Sequence, residues 1–298
     1  MEYIMHKFDS IHKFVNEADR RARSTESSHS KDKGFGGEDW HGTDSFAQAV
    51  QFAKFGGWEP QGAPKFRKLF DELIPKLRKF TDLNMERFPD VVGDEVNVAA
   101  YLEGEPDHMY DWVPQETEQT KRALCLLVGH SISAGCTAEE LFVRGQALVG
   151  LVRALSLLGY ELEIWSEETV GGYGGQRNHD EQWSILVRLH AAGEIMDTSA
   201  IEFAIGNPSW LRRLLFGFQE GEPNDVRSHY GFGKGGYGSV RSIQHQGVVN
   251  ADISLNLGER WFNERSGNDA KDGVDWVVSQ LKRLEVLPQD AEIDWEES

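Results

Sequence analysis

The run from Arg122 to Gly159 constrains this chain more than any other part of it. Ala123 to Val128 is unbroken apolar sequence, which suits a strand covered on both faces. Gly129 to Thr137 (GHSISAGCT) is a loop of small residues. Residues 138–158 then place Leu141, Gly145, Leu148, Val152 and Leu155 on one helical stripe and stop at Gly159. Tyr160 to Trp165 (YELEIW) alternates as a second strand, and Gln182 to His190 (QWSILVRLH) alternates again. The Gly-rich link GGYGGQRNHDE between them makes that pair antiparallel. Residues 198–219 read as helical around a break at Asn207-Pro208. Ala251 to Leu257 is the last strand and 270–286 the last amphipathic helix. Alternation of this kind predicts an α/β fold, a sheet with helices on both faces.

The N-terminal part is richer in helix. Phe8, Ile11, Phe14, Val15 and Ala18 give residues 8–22 one apolar face, and residues 24–39 are a polar Gly/Ser-rich linker. From Trp40, Ser45 with Gln48 resembles a capping box ahead of Phe46, Ala49, Val50 and Ala53. Gly56 and Gly57 end that helix. A second begins near Pro64 and carries Phe66, Leu69, Phe70, Leu73, Ile74 and Leu77, with a kink or break expected at Pro75. Val91 to Tyr101 is strand-like, and LEGEPDHMYDW after it reads as a loop. The expected organisation is an N-terminal helix (1–23), a linker (24–39), a mixed helical and β subdomain (40–120), an α/β domain (121–287) and an acidic tail (288–298).

Charge and cysteine content remove several functions. The 298 residues hold 31 Lys plus Arg against 49 Asp plus Glu, a net charge of −18. Such a surface repels phosphate backbones and anionic lipid, so nucleic acid is disfavoured as the main partner. Two cysteines, Cys125 and Cys136, cannot build a disulfide framework or a four-thiolate zinc site. The N-terminus lacks the apolar core and cleavage site of a signal peptide, and Ala123 to Val128 is far short of the roughly 18 residues that span a membrane. A cytoplasmic protein is expected.

Two resemblances carry further expectations. Residues 121–287 resemble a von Willebrand factor A-type domain, whose first strand ends in an Asp-x-Ser-x-Ser loop ahead of a long helix. Here the loop is Gly129-His130-Ser131-Ile132-Ser133, with both serines at the family's spacing and Gly129 in place of the Asp. In the family those groups and a later threonine hold a divalent cation. The resemblance therefore implies a degenerate site of Ser131, Ser133 and Thr198, the last from the Asp197-Thr198-Ser199 segment, for Mg²⁺ or Mn²⁺. Without its carboxylate this is a poor site for a hard cation, and helix capping or satisfaction of loop amides is the competing role of the serines. A-type domains bind partners at one end of the sheet and often work with an AAA+ ATPase. That implies a protein partner contacted through His130, Asp197, Lys234 and Tyr237 in the 129–135, 194–199 and 231–239 loops. Second, the segments Trp40 to Phe46, Ala100 to Pro106, Asn207-Pro208 with Leu211 to Leu214, and Gly236-Tyr237-Gly238 look similar to an uncharacterised protein family found mainly in bacteriophages. This implies a place in the infected host cell or the virion.

Other patterns resolve against catalysis. Gly233 to Val240 fits the kinase G-x-G-x-x-G-x-V loop, but no H-R-D or D-F-G follows. We read it as a Gly-rich turn that lets the backbone pass close to something. The histidines show no H-E-x-x-H spacing. The expected function is a non-enzymatic interaction or assembly module. Its alternatives are a metal-dependent hydrolase or nuclease using His130, Ser131, Asp180 and Asp197, and a nucleic-acid accessory protein using the basic 65–79 helix with Arg20, Arg21 and Arg23.

Overall fold

The computed structural model describes residues 3–25, 29–31, 40–58, 63–78, 85–90, 95–106, 108–114, 123–172, 181–233, 236–258 and 269–291. The fold is α/β, a mixed six-stranded sheet with helices packed around it. Strand β5 (Ala123–Gly129) lies between β6 (Glu161–Gly171) and β9 (Ile253–Asn256) and is parallel to both. Beyond β6 comes β7 (Gln182–His190), antiparallel to it as the Gly-rich link predicts. The far edge is β1 (Ile4–Phe8), which pairs parallel to β7 and gives the order β1-β7-β6-β5-β9. A two-residue strand, β8 (Ser239–Val240), adds to the end of β6.

Alternation assigns each strand residue to a face. Leu126, Val128, Leu162, Ile164, Val170, Trp183, Ile185 and Val187 join the large core, and Cys125, Leu127, Trp165 and Leu186 join a smaller one. The large core is filled by α1 (Ile11–Ser24), α2 (Phe46–Phe55), α3 (Ala63–Arg78), α5 (Ala138–Leu157), α6 (Thr198–Gly206) and α10 (Asp269–Arg283). The smaller core is closed by Val249 of the short helix α9 (Gln246–Val249) and by Ile243. After Pro208 the chain winds as a π-helix, Trp210–Leu215, into α7 (Phe216–Glu220) and then α8 (Asn224–Tyr230). Helix α5 is capped by Thr137, whose hydroxyl accepts from Glu140 N at 3.1 Å while Glu140 accepts from Thr137 N at 2.8 Å.

Four local expectations are corrected. The helix expected from residue 8 begins at Ile11, behind the Ser10 cap, because Ile4 to Phe8 is strand β1. Helix α3 runs through Pro75 to Arg78 without a break. Of the strand expected at 91–101, residues 91–94 lie outside the described residues, and the remainder is a two-residue strand, β3 (Glu95–Val96), followed by helix α4 (Val98–Glu103); Asn97 caps its start and Gly104, at φ +76°, ends it. The LEGEPDHMYDW loop contains strand β4 (Met109–Pro114). It pairs with β2 (Met85–Asp90) and β3 in a separate three-stranded sheet.

Candidate functional site

The site forms where β5 leaves the sheet. Residues 161–167 of β6 pair with β5, whereas Val170 and Gly171 pair with β8. Strand β7 occupies the other edge of β6 along 164–171, so β5 and β8 share one edge in succession. The gap between them is bridged by the 130–131 backbone and one side chain. His130 N donates to Glu167 O at 2.7 Å. The Ser131 hydroxyl donates to Thr169 O at 2.8 Å and accepts from Thr169 N at 2.9 Å, replacing a pair of ladder bonds. Ser131 thus satisfies a backbone amide, but that of the neighbouring strand rather than of its own loop. Ser133 accepts from Gly135 N at 3.3 Å, and Thr137 is the helix cap.

On the helical side of this gap lies a cavity of about 190 Å³. Ser131, Ile132, Ser133 and Ala134 form one wall, Gly236 to Gly238 and Val240 the opposite one. Trp40, Leu211, Arg212 and Phe216 close the side toward the helices, His29 stands at it too, and Glu168 and Val170 project from β6. Tyr237 stacks on Phe216 with ring centroids 3.5 Å apart and planes 4° from parallel. The Gly-rich turn has its explanation here. Gly238 has φ +76°, and a Cβ on it would stand 2.7 Å from Val170 Cβ, so the residue lets β8 approach β6.

Two ionisable groups in the wall are buried without a direct ion-pair partner among the described residues. Glu168 sits on the core-facing register of β6 with Leu162, Ile164 and Val170, and is 2% exposed. No described residue hydrogen-bonds its Oε2, and the Gln219 side chain lies beside it without closing a bond. Burial pushes this carboxyl up to about 8, so it is largely protonated at neutral pH. Arg212, 1% exposed, donates to Trp40 O and Cys136 O at 2.5 Å each and stacks on the Trp40 ring at 4.4 Å. Burial lowers it to about 10, against the opposing pull of Cys136 and the Glu140 carboxylate, which leaves it cationic; no described carboxylate stands within ion-pair distance of it. Next to the cavity, Tyr237 donates to Glu220 Oε1 at 2.5 Å, and Ser30 donates to Glu220 Oε2 at 2.6 Å. Burial, then Glu220, holds the Tyr237 phenol far above its ordinary range.

The residues singled out in the sequence separate. Ser131, Ser133 and Tyr237 meet at the cavity. His130 is a core residue with both ring nitrogens engaged: Nε2 lies 3.0 Å from Ala204 O and Nδ1 3.0 Å from Ser166 Oγ. A carbonyl can only accept, so Nε2 carries the proton and Nδ1 accepts from Ser166. The Ser166 oxygen in turn accepts from Trp210 Nε1 at 3.0 Å. Burial lowers His130 to about 4, so it is neutral. This corrects its place on a partner surface. Asp197 and Thr198 are exposed at the other end of the sheet, where Asp197 caps α6 by accepting from Ala200 N at 3.1 Å. Six helical residues, roughly 9 Å, separate Thr198 from Ala204 beside His130. The Ser131, Ser133 and Thr198 cation site is therefore not assembled. Lys234, His179 and Asp180 lie outside the described residues.

The missing carboxylate is sterically excluded as well. A Cβ on Gly129 would stand 2.8 Å from Ile243 Cγ1 and 3.3 Å from Asn256 Cγ. Among the described residues no group of three or more His, Cys, Asp or Glu is placed to hold a metal. The basic cluster of α1 is largely neutralised within the fold. Arg20 pairs with Glu17 at 2.6 Å, Arg23 with Asp19 at 2.7 Å, and Arg21 with both Glu17 and Glu222 at 2.9 Å. Sequence reasoning passed over Glu168 and Arg212; two adjacent acids inside a strand-length segment, and two adjacent arginines in an apolar helix, were the available signals.

A family model described as a domain of unknown function, DUF7192, matches residues 2–287. The chain belongs to this family. No curated protein and no solved structure matches it. No helix among the described residues is long and apolar enough to cross a membrane.

Proposed function

We propose that this chain is a non-enzymatic protein-interaction module that takes its partner in the cavity between the 131–134 loop and the 236–240 segment. One observation carries the reading: two of the three loops expected to bind a partner, 129–135 and 231–239 but not 194–199, contribute to a single recess with Trp40, Phe216 and Tyr237 in its lining. Aromatic and arginine side chains around a desolvated recess are the usual anchors of protein recognition. The von Willebrand factor A-like scaffold is part of the proposal. It is supported by the order β7-β6-β5-β9 with β7 antiparallel and by the position of the serine loop after β5. With Gly129 closed off by Ile243 and Asn256, recognition falls to the cavity instead of to a cation. A phage setting and an AAA+ ATPase partner rest on the sequence resemblances.

The test is selection of random displayed peptides on the purified chain, followed by Ser133→Arg and Val240→Glu. Ser133 and Val240 are both exposed and line the rim, so each change blocks the mouth without disturbing the core. Enriched peptides should bind the wild type and weaken at least about tenfold, 1.4 kcal/mol, in both variants. Failure to enrich any peptide, or binding indifferent to both changes, would refute the proposal.

A further inference from the structure

The cavity contains a buried cation and a buried acid that do not neutralise each other. Arg212 has five N–H donors, and two of them reach described acceptors, Trp40 O and Cys136 O. Glu140 acts on this guanidinium only from beyond ion-pair distance, so part of the cost of its burial stays unmet, and an entering anion offsets it. Glu168 cannot supply the anion, because its own burial keeps it neutral near pH 7. The recess is thus a positive, donor-rich pocket inside a chain of net charge −18. A volume of about 190 Å³ is comparable with the ~150 Å³ cavity that accepts benzene, so it has room for one apolar side chain.

We propose that the cavity is the receptor for the C-terminal carboxylate of a partner polypeptide with an apolar last residue and a basic segment upstream. The carboxylate meets Arg212, the last side chain lies against Trp40, Leu211 and Phe216, and the protonated Glu168 donates to the terminal residue. The basic segment answers the net charge of −18 of the whole chain, whose long-range field would otherwise repel an incoming anion. This rests on the interaction-module reading and adds the identity of the element that enters. Capture of a chain terminus by fixed donors is an established recognition mode.

The groups facing Glu168 set its pH behaviour. Tyr237 is committed to Glu220, and Glu220 is held by Ser30, with Arg227 acting on Tyr237 from α8. Arg212 faces the cavity from the π-helix and His29 from the 29–31 segment. Glu168 changes charge between pH 7 and 9, and its negative form opposes a carboxylate.

Fluorescence polarisation with a labelled Lys-Lys-Gly-Ser-Gly-Leu peptide, as free acid and as C-terminal amide, tests the proposal. At pH 7 the acid should bind at least tenfold tighter than the amide. Raising the pH to 9 should weaken the acid about tenfold in the wild type and leave Glu168→Gln unchanged. Equal binding of acid and amide, both lost in Val240→Glu, would overturn the carboxylate receptor while leaving the interaction module standing. Binding of neither would overturn both. If unlabelled N-acetyl-leucine competes as tightly as the unlabelled hexapeptide, the polypeptide source is wrong. A Glu168→Gln protein with the wild-type pH profile would remove Glu168 from the site.

Discussion

Replacing Glu168 by glutamine keeps the size and shape of the side chain and removes its titration, so the change isolates one buried group. In the unfolded chain this carboxyl loses its proton near 4.5, whereas in the fold it keeps it until about 8. The folded state therefore binds the extra proton throughout that window, and stability falls as pH rises through it. Each pH unit costs about 1.4 kcal/mol, for a full penalty on the order of 5 kcal/mol above pH 8. That is comparable with the entire stability of many domains, about 5–15 kcal/mol. His130 works in the opposite direction. Unfolded it is protonated below 6.5, but folded it resists protonation until about 4, so its contribution is lost as pH falls through that range. The difference between wild type and Glu168→Gln cancels His130. Urea unfolding followed by tryptophan fluorescence from pH 5 to 9 should show the variant gaining on the wild type by about 1.4 kcal/mol per pH unit and levelling above pH 8. Parallel curves between pH 5 and 8 would mean that the carboxyl is not held neutral in the fold.

Gly129→Asp, which restores the carboxylate of the A-type pattern, should lower the melting temperature through its clash with Ile243 and Asn256 and should not recover with Mg²⁺; calorimetric heat on Mg²⁺ addition would contradict this. Gly145→Ala places a Cβ 2.3 Å from Gly206 Cα at the α5–α6 crossing, where backbone cannot give way, and should cost about 1–3 kcal/mol in denaturant unfolding. Thr137→Ala removes half of the α5 capping box and should cost about 1 kcal/mol. Ser131→Ala leaves Thr169 N and O without their partner and should destabilise by about 1–3 kcal/mol, by the same amount with EDTA or Mg²⁺ present.

The sheet was legible where a strand had two well-defined faces. Strand β5 is buried on both sides and reads as a continuous apolar run, and β7 alternates cleanly between the large and small cores. Strand β1 was hidden because its partner lies some 180 residues away and because Phe8 also fits the helical stripe that follows. At 91–101 the valines suggested a strand, yet Asn97 caps a helix by accepting from Ala100 N at 3.2 Å. Capping chemistry, not β-branching, decided that segment.

The site was legible in its loops and not in its charges. Ser131, Ser133 and Tyr237 stood out because small residues and glycines mark places where backbone bends or approaches another chain segment. The polar SEET hides the continuation of the second strand beyond Trp165, where the alternation goes on to Gly171. Ser166, Glu168 and Val170 keep the register of Leu162 and Ile164, and the polar members are drawn inward because β6 outruns β5 and must line the gap. Arg212 and Arg213 were too few to count as a basic patch. Both are buried in the π-helical segment, where Arg213 ties down Ser30 O at 2.8 Å and Thr43 O at 2.7 Å. An apolar residue at the place of Glu168 would cost the fold less, because desolvating an acid whose Oε2 has no described partner is paid in stability. For the buried arginines the structure shows part of what is gained in return, since Arg212 likewise holds Trp40 O and Cys136 O. For Glu168 and the free donors of Arg212 the return lies in the cavity between them, and a bound carboxylate would complete it.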